Sequence, residues 1–191
     1  MAVNCLTGHG QTTDAVHDAG VSRELAQLRK QKVKDLRYDL HFSISRDKHT
    51  PVTGEGRIRF RLDAPTEIVI DFREAEEKIA EVRMNGKTAS YTFRNEHIIL
   101  PATLTQTGEN AISVRFTAGD QSLNRNDDFL YSLSVPDRAR TIFPCFDQPN
   151  LKAVFALTLE LPAEWVGVSN TRVTKEEKHA DRKTLHFAPT R

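Results

Sequence analysis

Polar and apolar residues trade places at every second position over most of this chain. Leu36, Tyr38, Leu40, Phe42 and Ile44 interleave with Arg37, Asp39, His41 and Ser43, and Ile58, Phe60 and Leu62 with Arg57, Arg59 and Arg61. A period of two sends successive side chains to opposite faces, so each run predicts a strand with one buried and one wet face. The same pattern recurs at Ile68, Ile70 and Phe72, at Ala80, Val82 and Met84, at Ala89, Tyr91 and Phe93, and from His97 to Leu100. It continues at Ile112, Val114 and Phe116, at Phe155, Leu157 and Leu159, from Trp165 to Val168, from Arg172 to Thr174, and from Leu185 to Phe187. Asn85-Gly86 is a hairpin signal, because both residues tolerate the positive φ of a tight turn. Thr53-Gly54-Glu55-Gly56 reads as the turn before Ile58. About ten short strands with almost no helix predict an all-β fold, an antiparallel β-sandwich or a saddle-like pair of sheets.

A helical period occurs once. Ser22 is placed to cap a short helix with Glu24 in its first turn, with Val21, Leu25 and Leu28 on one face. Arg29, Lys30 and Lys32 fall in its last turns, where cations suit the helix dipole. Residues 1 to about 20 lack apolar period and predict a mobile arm; residues 21–191 make one β-rich domain. The chain ends at Ala188-Pro189-Thr190-Arg191, just after a strand with no closing element, which predicts a piece of a longer polypeptide.

Composition removes several classes of function. Hydrophobic residues make up 38% and charged residues 28% of 191, as in a globular domain. The 27 Lys and Arg against 26 Asp and Glu leave a net charge of +1, which gives no reason to expect nucleic acid as a partner. No apolar run approaches the roughly 18–20 residues of a membrane-spanning helix, and Met1 to Cys5 contains no apolar core of a signal peptide. Cys5 and Cys145 are too few for a disulfide framework, and Cys145 reads as a small buried hydrophobe. The seven histidines include no helical H-E-x-x-H pair and none at finger spacing with cysteine, so no metal site is expected within the chain. His41 takes an outward strand position and reads as a surface histidine. There is neither a P-loop nor a G-x-S-x-G elbow.

The segment Phe143-Pro144-Cys145-Phe146-Asp147-Gln148-Pro149-Asn150 stands apart from these alternating runs. Two prolines fix φ twice and remove two donors, so neither a helix nor a central strand passes through it. It predicts a rigid, partly apolar corner. Arg138 and Arg140, one residue apart, point to opposite faces if extended, and one of them is expected to pair with Asp147. Asn124 to Tyr131 reads as a polar loop running into a strand.

Phe129-Leu130-Tyr131, Arg140, the segment from Phe143 to Pro149 and Lys152-Ala153-Val154-Phe155 together resemble the N-terminal domain of the aminopeptidase N-like (gluzincin) zinc peptidases. That family also includes leukotriene hydrolases. The family pattern is close to F-P-C-F-D-E-P-x-x-K-A-x-F, from which this chain departs only at Gln148. Tyr38-Asp39-Leu40 resembles the family's opening strand, and Ala163 to Thr171 a later strand ending in S-N; the likeness runs from about residue 36 to 188.

The resemblance implies a saddle-like β domain packed on a separate C-terminal catalytic domain. That domain would carry the zinc, its H-E-x-x-H helix and a G-x-M-E-N strand, none of which is in this sequence. It further implies that this chain supplies no catalytic residue and binds no zinc itself. The whole protein would remove N-terminal residues from peptide substrates. In the family, the loop before the F-P-C segment lends a Gln or Glu to the peptide's free amine. The corresponding position here is Val135, within Ser132-Leu133-Ser134-Val135-Pro136. Valine accepts no hydrogen bond, so that role does not carry over. Ser134, Val135 and Pro136 are expected to form a more apolar cleft wall, with Ser134 as a weak polar substitute. A second reading is a stand-alone β-sandwich that binds a carbohydrate or a partner protein; it offers no evident use for so rigid a corner.

Overall fold

The computed structural model describes residues 15–191. Most of the expected arm, with Cys5 and His9, lies outside the described residues. The part inside it is seated: Ala15–His17 form a 3-10 turn, and Val16 packs beside Leu25.

The strand runs fold as their period requires. An eight-stranded sheet contains β1 (Lys34–Ser43), β2 (Thr53–Leu62), β4 (Ile79–Met84), β5 (Lys87–Thr88), β8 (Gly108–Thr117), β11 (Val154–Pro162), β12 (Val173–His179) and β13 (Arg182–Phe187). Its spatial order is β12-β13-β11-β1-β2-β8-β4-β5. A three-stranded sheet joins β3 (Ile68–Asp71), β7 (His97–Leu100) and β6 (Thr92–Arg94), and a hairpin pairs β9 (Leu123–Arg125) with β10 (Leu130–Ser132). With 44% strand and 12% helix the fold is all-β, a sandwich as expected.

The large sheet is mixed, since β1 lies antiparallel to β2 but parallel to β11. Sequence period fixes which face of a strand is buried; it carries no information on which distant strand comes alongside.

Three layers follow from the burial patterns. β1 and β2 turn Leu36, Tyr38, Leu40, Ile58, Phe60 and Leu62 inward and their charged residues outward. β3 and β7 are buried at every position. Ile68, Ile70, Ile98 and Leu100 meet the large sheet, while Val69 and Ile99 meet Leu25 of α1 (Arg23–Lys32). A strand covered on both faces reads as a continuous apolar run, as Ile68-Val69-Ile70 does. Helix α1 begins at Ser22, whose hydroxyl accepts from the Leu25 amide at 3.0 Å.

Two turns invite comparison. Asn85 and Gly86 both take positive φ, 51° and 83°, closing β4 on β5 as expected. Thr53-Gly54-Glu55-Gly56, in contrast, is the start of β2 and not a turn. The glycines there make room: a Cβ on Gly54 would lie 2.6 Å from Phe116 Cζ and 3.2 Å from the His41 carbonyl. Phe116 needs that space because it also meets Phe42 edge-on, with ring centroids 5.9 Å apart. Gly54→Ala should therefore lower stability by about 1–3 kcal/mol through overpacking; an unchanged urea midpoint would mean that the Phe116 ring swings aside freely. Trp165 to Val168, expected as a strand, lies instead in the open connection between β11 and β12.

Candidate functional site

The proline segment is a bracket inside the fold. Cys145 exchanges both backbone hydrogen bonds with Asp71, at 2.8 and 3.0 Å, so the segment adds one rung to the end of β3. The next amide, Phe146, donates to the Tyr38 hydroxyl at 2.9 Å, and the Asp147 amide donates to Asp71 Oδ2 at 2.9 Å. Gln148 Nε2 donates to the Ala26 carbonyl of α1 at 3.1 Å. Within four residues the segment ties the small sheet, the large sheet and the helix together. Its aromatics pack the same way. Phe146 meets Phe60 edge-on at 6.1 Å, and Phe143 meets Tyr38 and Phe42 at 6.4 and 6.1 Å. Pro144 is buried, whereas Pro149 is exposed.

At the centre of the bracket is a charge cluster. Asp71 and His97 are 0% exposed and Arg29 is 3% exposed. Arg29 donates to both carboxylate oxygens of Asp71, at 2.8 and 2.6 Å, and to the Val69 carbonyl. His97 spans the Asp71 carboxylate and the Asp18 carbonyl, with its ring nitrogens 2.9 and 2.8 Å from the two oxygens. The Arg29 guanidinium also lies 5.2 Å from the Phe146 ring centroid. Burial alone would push the Asp71 carboxyl up. The His97 ring nitrogen 2.9 Å away and the Arg29 guanidinium outweigh it and hold the group below its ordinary value. Asp147 shifts the other way, raised by partial burial and only partly countered by the Arg140 amide. Burial likewise pushes the Cys145 thiol well up, which suits a packed sulfur rather than a nucleophile.

The expected pairing of Arg138 or Arg140 with Asp147 does not form through a guanidinium. Arg140 sits in a 3-10 turn (Ala139–Thr141), so its amide rather than its side chain faces Asp147, donating to Oδ2 at 3.1 Å. The guanidinium instead reaches Glu96 at 3.2 Å and Asp137 at 3.0 Å. Arg29, expected in the last turns of the helix where cations suit the dipole, is the buried partner of Asp71. Sequence reading passed over Asp71, His97 and Arg29. The available signal was a charged residue inside an otherwise apolar buried run, Ile68 to Phe72, since such a charge is rarely left unpaired.

Beside the bracket opens a groove of about 680 Å³. Its floor is the inner face of β1 and β11, where the parallel register sets Leu40 beside Leu157 and Phe42 beside Leu159. Phe143, Trp165 and Leu130 form its sides. Apolar residues of β11 are therefore only half-buried, although they occupy core positions. Tyr131 lines the groove from the β9–β10 hairpin and stacks on the exposed Phe129 ring, centroids 5.9 Å apart. Thr190 lies at the rim, its amide donating to the Phe155 carbonyl at 2.9 Å. Of the expected wall residues, Ser134 lines the groove, and Val135 stands 83% exposed beside an exposed Pro136. The Val135–Pro136 peptide is cis. Among the described residues no three His, Cys, Asp or Glu side chains converge as a metal site.

The model of the peptidase M1 N-terminal domain matches residues 34–191. A probable M1 family aminopeptidase of Encephalitozoon cuniculi is 28% identical over 193 aligned positions, covering 91% of this chain and 21% of its own length. Aminopeptidase M1-B of rice is 51% identical over 49 residues, 26% of this chain and 6% of that protein. Among solved structures, an M1 zinc metallopeptidase of Deinococcus radiodurans superposes with a TM-score of 0.69 at 19% identity, covering 82% of this chain and 39% of that one. Aminopeptidase A of Legionella pneumophila superposes at 0.72 and 15% identity, covering 82% of this chain and 19% of that one. At those identities the superpositions speak for the fold. The chain thus spans a small part of the proteins it matches, and on the family model it belongs to the peptidase M1 N-terminal domain family.

Proposed function

We propose that this chain is the non-catalytic N-terminal domain of a zinc-dependent aminopeptidase that removes N-terminal residues from peptides. It packs through its apolar groove on a C-terminal catalytic domain and lends the loop around Ser134, Val135 and Pro136 to one wall of the substrate cleft. The carrying observation is the half-buried row Phe155, Leu157 and Leu159 with Trp165, a run of core-type side chains left partly uncovered among the described residues. Such contiguous apolar surface marks a contact with another protein surface. Thr190 lines this groove, while Arg191 lines the one over Arg37 and Lys152. Zinc, its ligands and the general base would all belong to that neighbour, where the metal would activate water for attack on the peptide carbonyl. Val135 would present a methyl-bearing wall where a polar residue could have met the substrate ammonium, leaving the carboxylates of the catalytic domain to hold it.

The decisive experiment co-expresses the chain with the catalytic domain encoded after it. A one-to-one complex should form by analytical ultracentrifugation and cleave an aminoacyl anilide, while the 191-residue chain alone cleaves none. Leu157→Asp should abolish the complex and leave the fold of the isolated chain intact by circular dichroism. A complex that survives Leu157→Asp would move docking to another face. The stand-alone binding module would be favoured if no catalytic domain is encoded downstream.

A further inference from the structure

The outer face of β1 and β2, on the side of the sheet away from the apolar groove, carries a row of cations. Arg57, Arg59 and Arg61 hold successive outward positions of β2, which places their Cα atoms about 7 Å apart. Arg37 lies directly across from Arg59 in the β1–β2 register, and Lys152 precedes Val154, the β11 partner of Arg37. Like charges placed opposite each other weaken a sheet, so the Arg37–Arg59 pair is a concession of stability at this spot.

Carboxylates answer the row only in part. Asp39 faces Arg57 in register, but its carboxylate lies 2.9 Å from Arg59. Arg61 reaches Asp35 only at 3.8 Å. Among the described residues, Arg37, Arg57 and Lys152 have no carboxylate within 4.0 Å. A groove of about 870 Å³ lies over these side chains, lined also by Glu109 at one edge.

We propose that this face binds an extended acidic peptide segment, with alternate Asp or Glu side chains seated on Arg57, Arg59 and Arg61. Arg37 and Lys152 then close the side towards β11. The period is the argument for a peptide. An extended chain presents alternate side chains at the same spacing of about 7 Å as the arginine row, so several carboxylates engage together. Guanidinium groups meet carboxylates in a two-pronged geometry that lysine ammonium groups cannot reproduce. The face is on the opposite side of β1 from Leu40 and Phe42, so a partner seated in the apolar groove does not by itself cover it. Because the charges are exposed, binding is modest and weakens with salt.

Fluorescence anisotropy on the 191-residue chain tests this with two labelled peptides of identical composition. One alternates Glu with Thr; the other carries the same glutamates in a single block. At low salt the alternating peptide should bind several-fold tighter, and its affinity should fall as salt is raised. Arg57→Glu together with Arg37→Glu should weaken it by about tenfold, with the thermal melt confirming that the variant is folded. Equal binding of the two peptides would overturn the proposal, since only net charge would then be read. So would an affinity unchanged by the double charge reversal, or displacement of the peptide by inorganic triphosphate at concentrations where unlabelled peptide fails to compete, which would point to a compact phosphate site.

Discussion

Asp71→Asn should cost about 3–5 kcal/mol of folding stability, read from urea denaturation at neutral pH. The carboxylate is fully buried, receives both arms of the Arg29 guanidinium and the Asp147 amide, and lies 2.9 Å from a His97 ring nitrogen. An amide in its place turns an NH2 group towards some of those donors and leaves the guanidinium buried without its counter-charge. Removing one partner of a buried pair is costlier than removing both. Asp71→Asn combined with Arg29→Met should therefore recover part of the loss. A single-variant loss below about 1 kcal/mol would mean that water reaches the cluster and solvates the orphaned charge.

The same cluster sets a pH dependence. The folded-state carboxyl of Asp71 titrates below its ordinary value of 3.8. Its contribution to stability is therefore fully present above the unfolded value and lost as pH falls through the lower folded one. Native protein should lose stability relative to Asp71→Asn below about pH 4, the two denaturation midpoints drawing together as the solution is acidified. Asp147, raised by burial and in part by the Asp71 charge, contributes with the opposite sign, and Asp71→Asn removes the part of that shift that comes from Asp71.

The strands of this fold could be read from sequence because period-two burial is a local property. β1, β2 and β8 alternate cleanly between buried and exposed positions, and each was visible as such. The parallel β1–β11 pairing was not visible, since Tyr38 meets Phe155 across more than a hundred residues, and nothing local specifies that contact. Glycine was misread at Gly54 for a related reason. A short glycine-rich run marks a turn on local grounds, yet here the requirement comes from the Phe116 ring arriving from another strand. The burial of Arg29 is not legible locally, because a cation near a helix C-terminus already has an explanation in the dipole. Its burial depends on Asp71, forty-two residues away. The F-P-C-F-D-Q-P corner is legible in its composition, while the contacts it makes with distant elements are not. It is a bracket within the domain, and only Phe143 among its side chains also borders the groove.

That distinction yields the second large effect. Phe146→Ala should destabilise the chain by about 3–5 kcal/mol, because a buried aromatic is removed from a site fixed on three sides and unable to collapse. Phe60 faces its ring edge-on, the Arg29 guanidinium lies over it, and its own amide is held by Tyr38. Phe146→Leu keeps much of the apolar volume and should cost less, the remaining deficit reporting the aromatic contacts with Phe60 and Arg29, about 0.5–2 kcal/mol each. Pro149→Ala, at the exposed end of the same segment, should stay within about 0.5 kcal/mol of the native chain. A corner whose purpose was to present a rigid tip to a neighbour would show the reverse ranking in complex formation, with Pro149 critical and Phe146 replaceable. Arg29→Met should also be non-additive with Phe146→Leu, by about 0.5–3 kcal/mol, since the two side chains share a contact. Additivity there would separate the charge cluster from the proline bracket and leave the corner held by its hydrogen bonds to Asp71, Tyr38 and Ala26.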